Sequence, residues 1–285
     1  MNAVTENTAS PATAHVYTSV SDMPVCTAGL VDGQYVWKGE DASRVFIFFT
    51  GAVAPAALPL SPVFQRWKWL HKFSNPVVIA RDPLIQRTGN LQLAWYAGTQ
   101  NGPTFDDIVA GPLRVARELS NGEICAFGSS GGGFAALMAA VRNHVDSSMA
   151  INPQTNVLRY VPQMRDKFLQ LYTGGACELN QTDKERLSVC ESLWRYHDKC
   201  RTHVIINIKD LLHYHSHVLP LHRMSKLMNY ESMTFSCYDD AANGHNPPSQ
   251  GHTLWLMQKW WPKCIAASHR KELLGMRSIR DLETA

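Results

Sequence analysis

The chain predicts an α/β protein: a mostly parallel central sheet with helices on both faces and a helical insertion. Three observations point there. Apolar runs of strand length alternate with helical patterns along the chain. The runs are apolar at successive positions, the pattern of strands covered on both sides. One run, Glu123–Phe127, leads through a glycine-rich turn directly into an Ala- and Leu-rich stretch, Phe134–Val141.

In chain order, Gln34–Trp37 reads as a first strand and Arg44–Phe49 as a strong buried one, ended by Thr50-Gly51. Pro76–Ala80 follows, closed by Arg81-Asp82-Pro83. Leu91–Tyr96 fits either a short strand or an irregular segment. A helix is expected within Phe105–Leu119, interrupted at Gly111-Pro112, because proline cannot donate into the helical ladder. After the glycine turn and its helix, Ser148–Ile151 reads as a strand. The stretch around 157–199 is mostly helical, broken at Gly174-Gly175, and reads as the insertion. Thr202–Ile208 is another strand, and His217–Asn229 a helix. Met233–Tyr238 is the last strand, and Thr253–Trp261 a helix rich in Trp and Leu.

Composition narrows the class. At 285 residues, 45% hydrophobic and 18% charged, the chain suits a single α/β domain over 22–285 with a sizeable core. A net charge of +3 with scattered basic residues disfavours nucleic acid as a partner. No apolar run approaches the roughly 20 residues that span a bilayer. Met1–Ser21 is polar, lacks the pattern of a signal peptide, and reads as a disordered tail. Seven widely spaced cysteines imply reduced thiols and a cytoplasmic protein. Cys125 and Cys237 fall in strands, as core residues do. Cys190 and Cys200, with His197 or His203, lack the paired spacing of a zinc site.

The turn Gly128-Ser129-Ser130-Gly131-Gly132-Gly133 lies between strand and helix, the context of a G-x-S-x-G nucleophile elbow. A serine in that strained turn needs small neighbours two positions away. Ser130 has Gly128 and Gly132 there, whereas Ser129 has Phe127. Ser130 is the candidate nucleophile. The turn lacks the Gly-Lys-Ser/Thr ending of a P-loop, and a dinucleotide fingerprint starting at Gly128 would need glycine where Ser130 stands.

A serine hydroxyl needs a base to take its proton, and the base needs an orienting acid. In this topology the acid and then the histidine follow the serine, both beyond C-terminal strand ends. Asp210 is the candidate acid, with Asp239 and Asp240 as rivals. His245, in the loop Asn243-Gly244-His245-Asn246-Pro247-Pro248, is the candidate base, and His252 its rival. The run His213-Tyr214-His215-Ser216-His217 places His213 and His217 on one helical face. That face invites a metal reading, but no acid or thiol has matching spacing; support of Asp210 by His213 is the alternative. Oxyanion stabilisation is expected from the N–H of Gly131 and of Ala52, in the loop after the Arg44–Phe49 strand.

With these residues in place the chain resembles the α/β-hydrolase superfamily. The resemblance rests on F-G-S-S-G-G-G-F at 127–134, the acid at Asp210 and N-G-H at 243–245, and extends over most of 34–262. It is also similar to bacterial hydrolase-like proteins associated with glycan and capsule synthesis, through A-I-N-P-Q-T at 150–155 and D-x-x-H-Y at 210–214. The resemblance implies a serine hydrolase acting through an acyl-enzyme on a small-molecule or glycan-linked acyl substrate, without cofactor or metal. An acyltransferase using the same triad, or a non-catalytic binding module, are the alternatives. The H-G-G-G oxyanion motif of many lipases is absent.

Overall fold

The computed structural model describes residues 14–60, 63–88, 91–175, 178–196, 200–273 and 279–282. Its strands are β1 (Thr27–Val31), β2 (Gln34–Lys38), β3 (Arg44–Phe49), β4 (Val77–Ala80), β5 (Glu123–Ser129), β6 (Ser147–Ile151), β7 (Arg201–Asn207), β8 (Met233–Tyr238) and the two-residue β9 (Arg280–Asp281). They form one sheet in the order β1-β2-β4-β3-β5-β6-β7-β8-β9. From β4 to β8 all pairings are parallel. β1 and β2 add an antiparallel edge on one side and β9 on the other.

The helices are α1 (Pro83–Thr88), α2 (Phe105–Leu119), α3 (Gly131–Val141), α4 (Pro162–Thr173), α5 (Gln181–Leu187), α6 (Val189–Tyr196), α7 (Leu211–His213), α8 (Leu219–Leu227) and α9 (Gln250–Trp260). Both faces of the sheet are covered, which explains the unbroken apolar strands. One face packs Val45, Ile47, Phe49, Ala126, Ala150 and Val204 against α2, α3 and the helices of the insertion. The other packs Phe46, Phe48, Phe127, Met149 and Ile205 against α9, through Leu254, Met257 and Trp261.

The connection from β3 runs outward to β4, and the chain then crosses back past β3 to β5. That reversal opens a crevice beyond the C-terminal ends of β3 and β5, where open α/β sheets place their ligands. The loop after β3 and the glycine turn after β5 meet there.

Two local expectations changed, one strand was not anticipated and one open alternative was decided. β1 was not anticipated: its five residues, TAGLV, carry a glycine and no strand pattern, and pairing with β2 decides it. Residues 1–13 of the expected tail lie outside the described residues, and from His15 to Tyr17 the chain runs beside β1, with Tyr17 N–H donating to Leu30 O at 2.9 Å. α2 continues through Pro112. A Thr104–Asp107 capping box and a buried stripe including Phe105, Val109, Leu113 and Ala116 offset the roughly 3 kcal/mol that an interior proline costs. Leu91–Tyr96 is irregular, with Trp95 and Tyr96 at φ of 56° and 58°. Both rings are nonetheless fully buried.

Candidate active site

Ser130 stands at the junction of β5 and α3 with φ 54° and ψ −124°, a conformation that costs a non-glycine residue about 1–3 kcal/mol. The turn is held by Ser130 N–H donating to Ile151 O at 3.1 Å and by Phe134 N–H donating to Ser130 O at 3.2 Å. Glycine is required on both sides. A Cβ on Gly128 would lie 2.1 Å from Gly132 O, and one on Gly132 would lie 2.3 Å from Phe49 O. Ser129 ends β5 and is buried; its hydroxyl accepts from Arg66 Nη2 at 2.5 Å.

Ser130 Oγ lies 2.9 Å from His245 Nε2, and His245 Nδ1 lies 2.7 Å from Asp210 Oδ2. The three side chains come from loops after β5, β7 and β8. A second histidine shares the acid. His213 Nδ1 is 2.9 Å from the Asp210 carboxylate, and its ring stacks on His245 with centroids 3.8 Å apart. Burial would raise the Asp210 pKa, but hydrogen bonds from His213 and His245 outweigh it and hold the carboxyl well below the usual carboxylate range. Burial lowers His213 against the opposing pull of Asp210. It pushes His217, helped by the neighbouring charge of His213, down to about 3. Neutral imidazoles therefore back the acid at neutral pH.

Two fully buried asparagines build the base loop. Asn152 Nδ2 donates to the carbonyls of His245 at 3.1 Å and Asn246 at 3.3 Å, and to Tyr238 Oη at 2.9 Å. Asn207 Nδ2 donates to Asp240 O and Gly244 O at 2.7 and 2.8 Å, while its Oδ1 accepts from Asp240 N–H at 3.0 Å. Asn207 N–H in turn donates to Asn152 Oδ1 at 2.8 Å, so the pair acts as one brace.

Across the crevice, the amides after β3 are assigned one by one. Thr50 N–H donates to Tyr96 Oη, Gly51 N–H to Gln65 Oε1 and Val53 N–H to Gln92 O, each at 2.8 Å. Gln65 Nε2 also donates to Ala52 O at 2.8 Å. Among the described residues, Ala52 N–H has no such partner. The N–H of Gly131, the first residue of α3, belongs to the helix's first turn, which has no intrahelical acceptor. Beside this loop Arg66 is buried at a φ of 65°. Its guanidinium lies 5.4 Å from the ring centroids of Trp69 and Phe127, and Nε and Nη1 have no hydrogen-bond partner among the described residues. Burial brings its pKa down to about 10.

The rival candidates lie elsewhere. Asp239 pairs with Lys209 at 3.3 Å. Asp240 accepts from Ala242 N–H and Asn243 N–H and so shapes the loop that carries His245. His252 sits in α9 with its ring 5.6 Å from Trp255. In the histidine run, His215 meets Tyr214 edge-on with ring centroids 4.9 Å apart. Asp210, His213 and His245 are also the one trio, among the described residues, whose ligand atoms lie within 4.8 Å of one another. His203 is hydrogen-bonded to Thr234 at 2.7 Å, and His197 lies outside the described residues.

Gln154 was not anticipated. It is fully buried, its Nε2 donates to Ser130 Oγ at 3.0 Å, and its Oε1 accepts from Trp95 Nε1. Asn207 has no sequence pattern of its own; Asn152 and Gln154 lie in the A-I-N-P-Q-T segment at 150–155, to which the sequence assigned no role. A further signal was two amides, Asn152 and Gln154, flanking a proline at the end of a buried strand.

No family model matches the chain, and no curated protein matches it. Solved structures do. The capsule O-acetyltransferase of Neisseria meningitidis serogroup A aligns with a TM-score of 0.54 at 13% identity, over 76% of this chain and 88% of that one. The acylaminoacyl peptidase of Pyrococcus horikoshii aligns at 0.53 and 12% identity, over 84% of this chain and 41% of that one. A Glycosylation Associate Protein complex from Streptococcus agalactiae aligns at 0.55 and 15% identity, over 80% of this chain and 43% of that one. The chain thus spans less than half the length of the last two. Strand order and these matches define an α/β-hydrolase fold. No helix among the described residues is long and apolar enough to cross a membrane.

Proposed function

We propose that this protein is a serine hydrolase that cleaves an ester or related acyl bond through an acyl-enzyme. The observation that carries the reading is the continuous chain from Ser130 Oγ through His245 to Asp210, at 2.9 and 2.7 Å. Ser130 attacks the acyl carbonyl as His245 takes its proton. Asp210 orients the imidazole and stabilises its charged form. The N–H groups of Gly131 and Ala52 receive the oxyanion. His245 then protonates the leaving oxygen, and water, activated by the same base, releases the acyl group. No metal or cofactor enters these steps. The six described cysteines are free, which supports a reducing, cytoplasmic setting.

A second reading has its own support. The capsule O-acetyltransferase is matched over 88% of its length, and a mutant of that enzyme is known in complex with CoA. A hydroxyl of a glycan, replacing water at the acyl-enzyme, would make this chain an acyltransferase with the same triad. Product analysis with an acyl donor, with and without a glycan acceptor, divides the two.

The decisive test is a fluorophosphonate probe followed by peptide mapping. Label at Ser130, and loss of p-nitrophenyl ester turnover by about 10⁴-fold or more in a folded Ser130→Ala protein, are expected. Folded wild type that takes no label would favour the binding-module reading. Near-normal turnover by Ser130→Ala would move the nucleophile elsewhere.

A further inference from the structure

Ser130 Oγ has two polar neighbours, and only one is the base. His245 Nε2 lies at 2.9 Å and Gln154 Nε2 at 3.0 Å. The polarity of the second contact is set from behind. An indole N–H can only donate, so the Gln154 atom facing Trp95 Nε1 must be the carbonyl oxygen. The amide nitrogen is then forced toward Ser130. A flipped amide would set two donors against each other in a dry site, because Trp95 and Gln154 are both fully buried. Gln154 N–H also donates to Ser130 O at 3.2 Å, so backbone and side chain hold the same residue. Trp95 itself is locked edge-on to Tyr160 and Phe168, with centroids at 5.7 and 5.1 Å.

We propose that Gln154 is a catalytic residue of the reaction assigned above: held by Trp95, it gives the Ser130 hydroxyl one direction and hydrogen-bonds Oγ through the attack. The inference rests on Ser130 being the nucleophile. With one lone pair of Oγ accepting from Gln154, the hydroxyl proton has His245 Nε2 as its acceptor. In the attack the O–H bond breaks and the proton moves to His245. The other lone pair forms the bond to the acyl carbon, and the carbonyl π pair moves onto the oxygen facing Gly131 and Ala52. Gln154 keeps its hydrogen bond to Oγ throughout and takes no proton. A carboxylate at 154 would do the reverse: it would accept the Ser130 proton and draw it away from the base.

The test compares wild type, Gln154→Met, Gln154→Glu and Trp95→Phe by fluorophosphonate labelling rate and by ester kcat across pH. Thermal unfolding verifies the fold, and Ser130→Ala serves as the blank. Gln154→Met should label about 10²-fold more slowly, the scale for one aimed donor in a catalytic site. Trp95→Phe should lose about tenfold, because the amide is freed to turn. Gln154→Glu should be poor at neutral pH and recover as pH falls through the range of the new carboxyl, which donates once protonated. In wild type the titratable neighbours cannot produce such a recovery: burial raises Tyr160, which hydrogen-bonds Gln154, and Asp210 is held well below the usual carboxylate range. Wild-type labelling rates in folded Gln154→Met overturn the inference, as does a Gln154→Glu profile parallel to wild type. If Gln154→Met does not fold, the pH profile of Gln154→Glu and the rate of Trp95→Phe decide alone. Wild type that takes no label strikes the nucleophile assignment instead.

Discussion

The two loops that reach Ser130 from opposite sides are held in opposite ways. On the β7–β8 side, the polar atoms of the Asn152 and Asn207 side chains are bonded, largely to backbone of the loop carrying His245. On the β3 side, Gln65 clamps Gly51 and Ala52, but Arg66 next to it is a buried cation with two nitrogens lacking partners among the described residues. The Asn152–Asn207 brace is a closed neutral network, which fixes the His245 loop without burying a charge beyond that of Asp210. The β3 side, where the oxyanion hole is proposed, keeps a positive charge that folding alone would not favour. Geometry is what a proton-transferring base needs, whereas a loop receiving negative charge tolerates, and electrostatically suits, a cation nearby.

The largest effect that would break this comparison falls on the acid. Asp210→Asn should keep the fold and lose roughly 10⁴-fold in turnover, as for other orienting acids. Asp240→Asn should cost far less, because an amide oxygen still accepts from Ala242 and Asn243. Turnover of the two variants is the check. Full activity in Asp210→Asn would hand the orienting role to another group.

Next comes the contrast between the braces. Asn207→Ala strands several buried backbone groups of the base loop and should destabilise by about 2–4 kcal/mol. It should also cost on the order of 10² in kcat, because the base loses its placement. Arg66→Met should leave stability unchanged or raise it, because it removes a buried charge that has no counter-ion among the described residues. Urea unfolding of both variants reads this out. If Arg66→Met proves the more damaging, the charge is part of the fold and the contrast collapses.

The smallest expected effect is on pH dependence. His217 is neutral in the fold, with its pKa moved from 6.5 to about 3 by burial. Protons therefore bind the unfolded chain first as pH falls. The stability from this neutral histidine is full above pH 6.5 and is lost progressively down to about 3. His217→Asn can keep an acceptor near Nδ1, which takes Thr155 N–H at 3.2 Å, but it cannot titrate. Its melting temperature should fall less steeply than that of wild type over this window. Identical slopes would show that His217 is not a source of acid sensitivity.

Local chemistry in the sequence determined the strands β2 to β8, most helix positions and the candidate residues at strand ends, but not the edge strands β1 and β9 or the strand order. Unbroken apolar runs mean strands covered on both faces, and only glycine fits at Gly128 and Gly132, whose added Cβ atoms would strike backbone. Ser130, Asp210 and His245 could be nominated by order along the chain, because each lies just beyond a recognisable strand. The choice of Asp210 over Asp239 and Asp240 as the partner of His245 is written in distances. So are the sharing of that carboxylate by His213, the Asn152–Asn207 brace and the contact of Gln154 with Ser130. The Asn152–Asn207 contact joins residues 55 apart in sequence. A buried amide looks the same in sequence whether it braces a loop, touches a nucleophile or fills a core; only the fold decides which donor meets which acceptor.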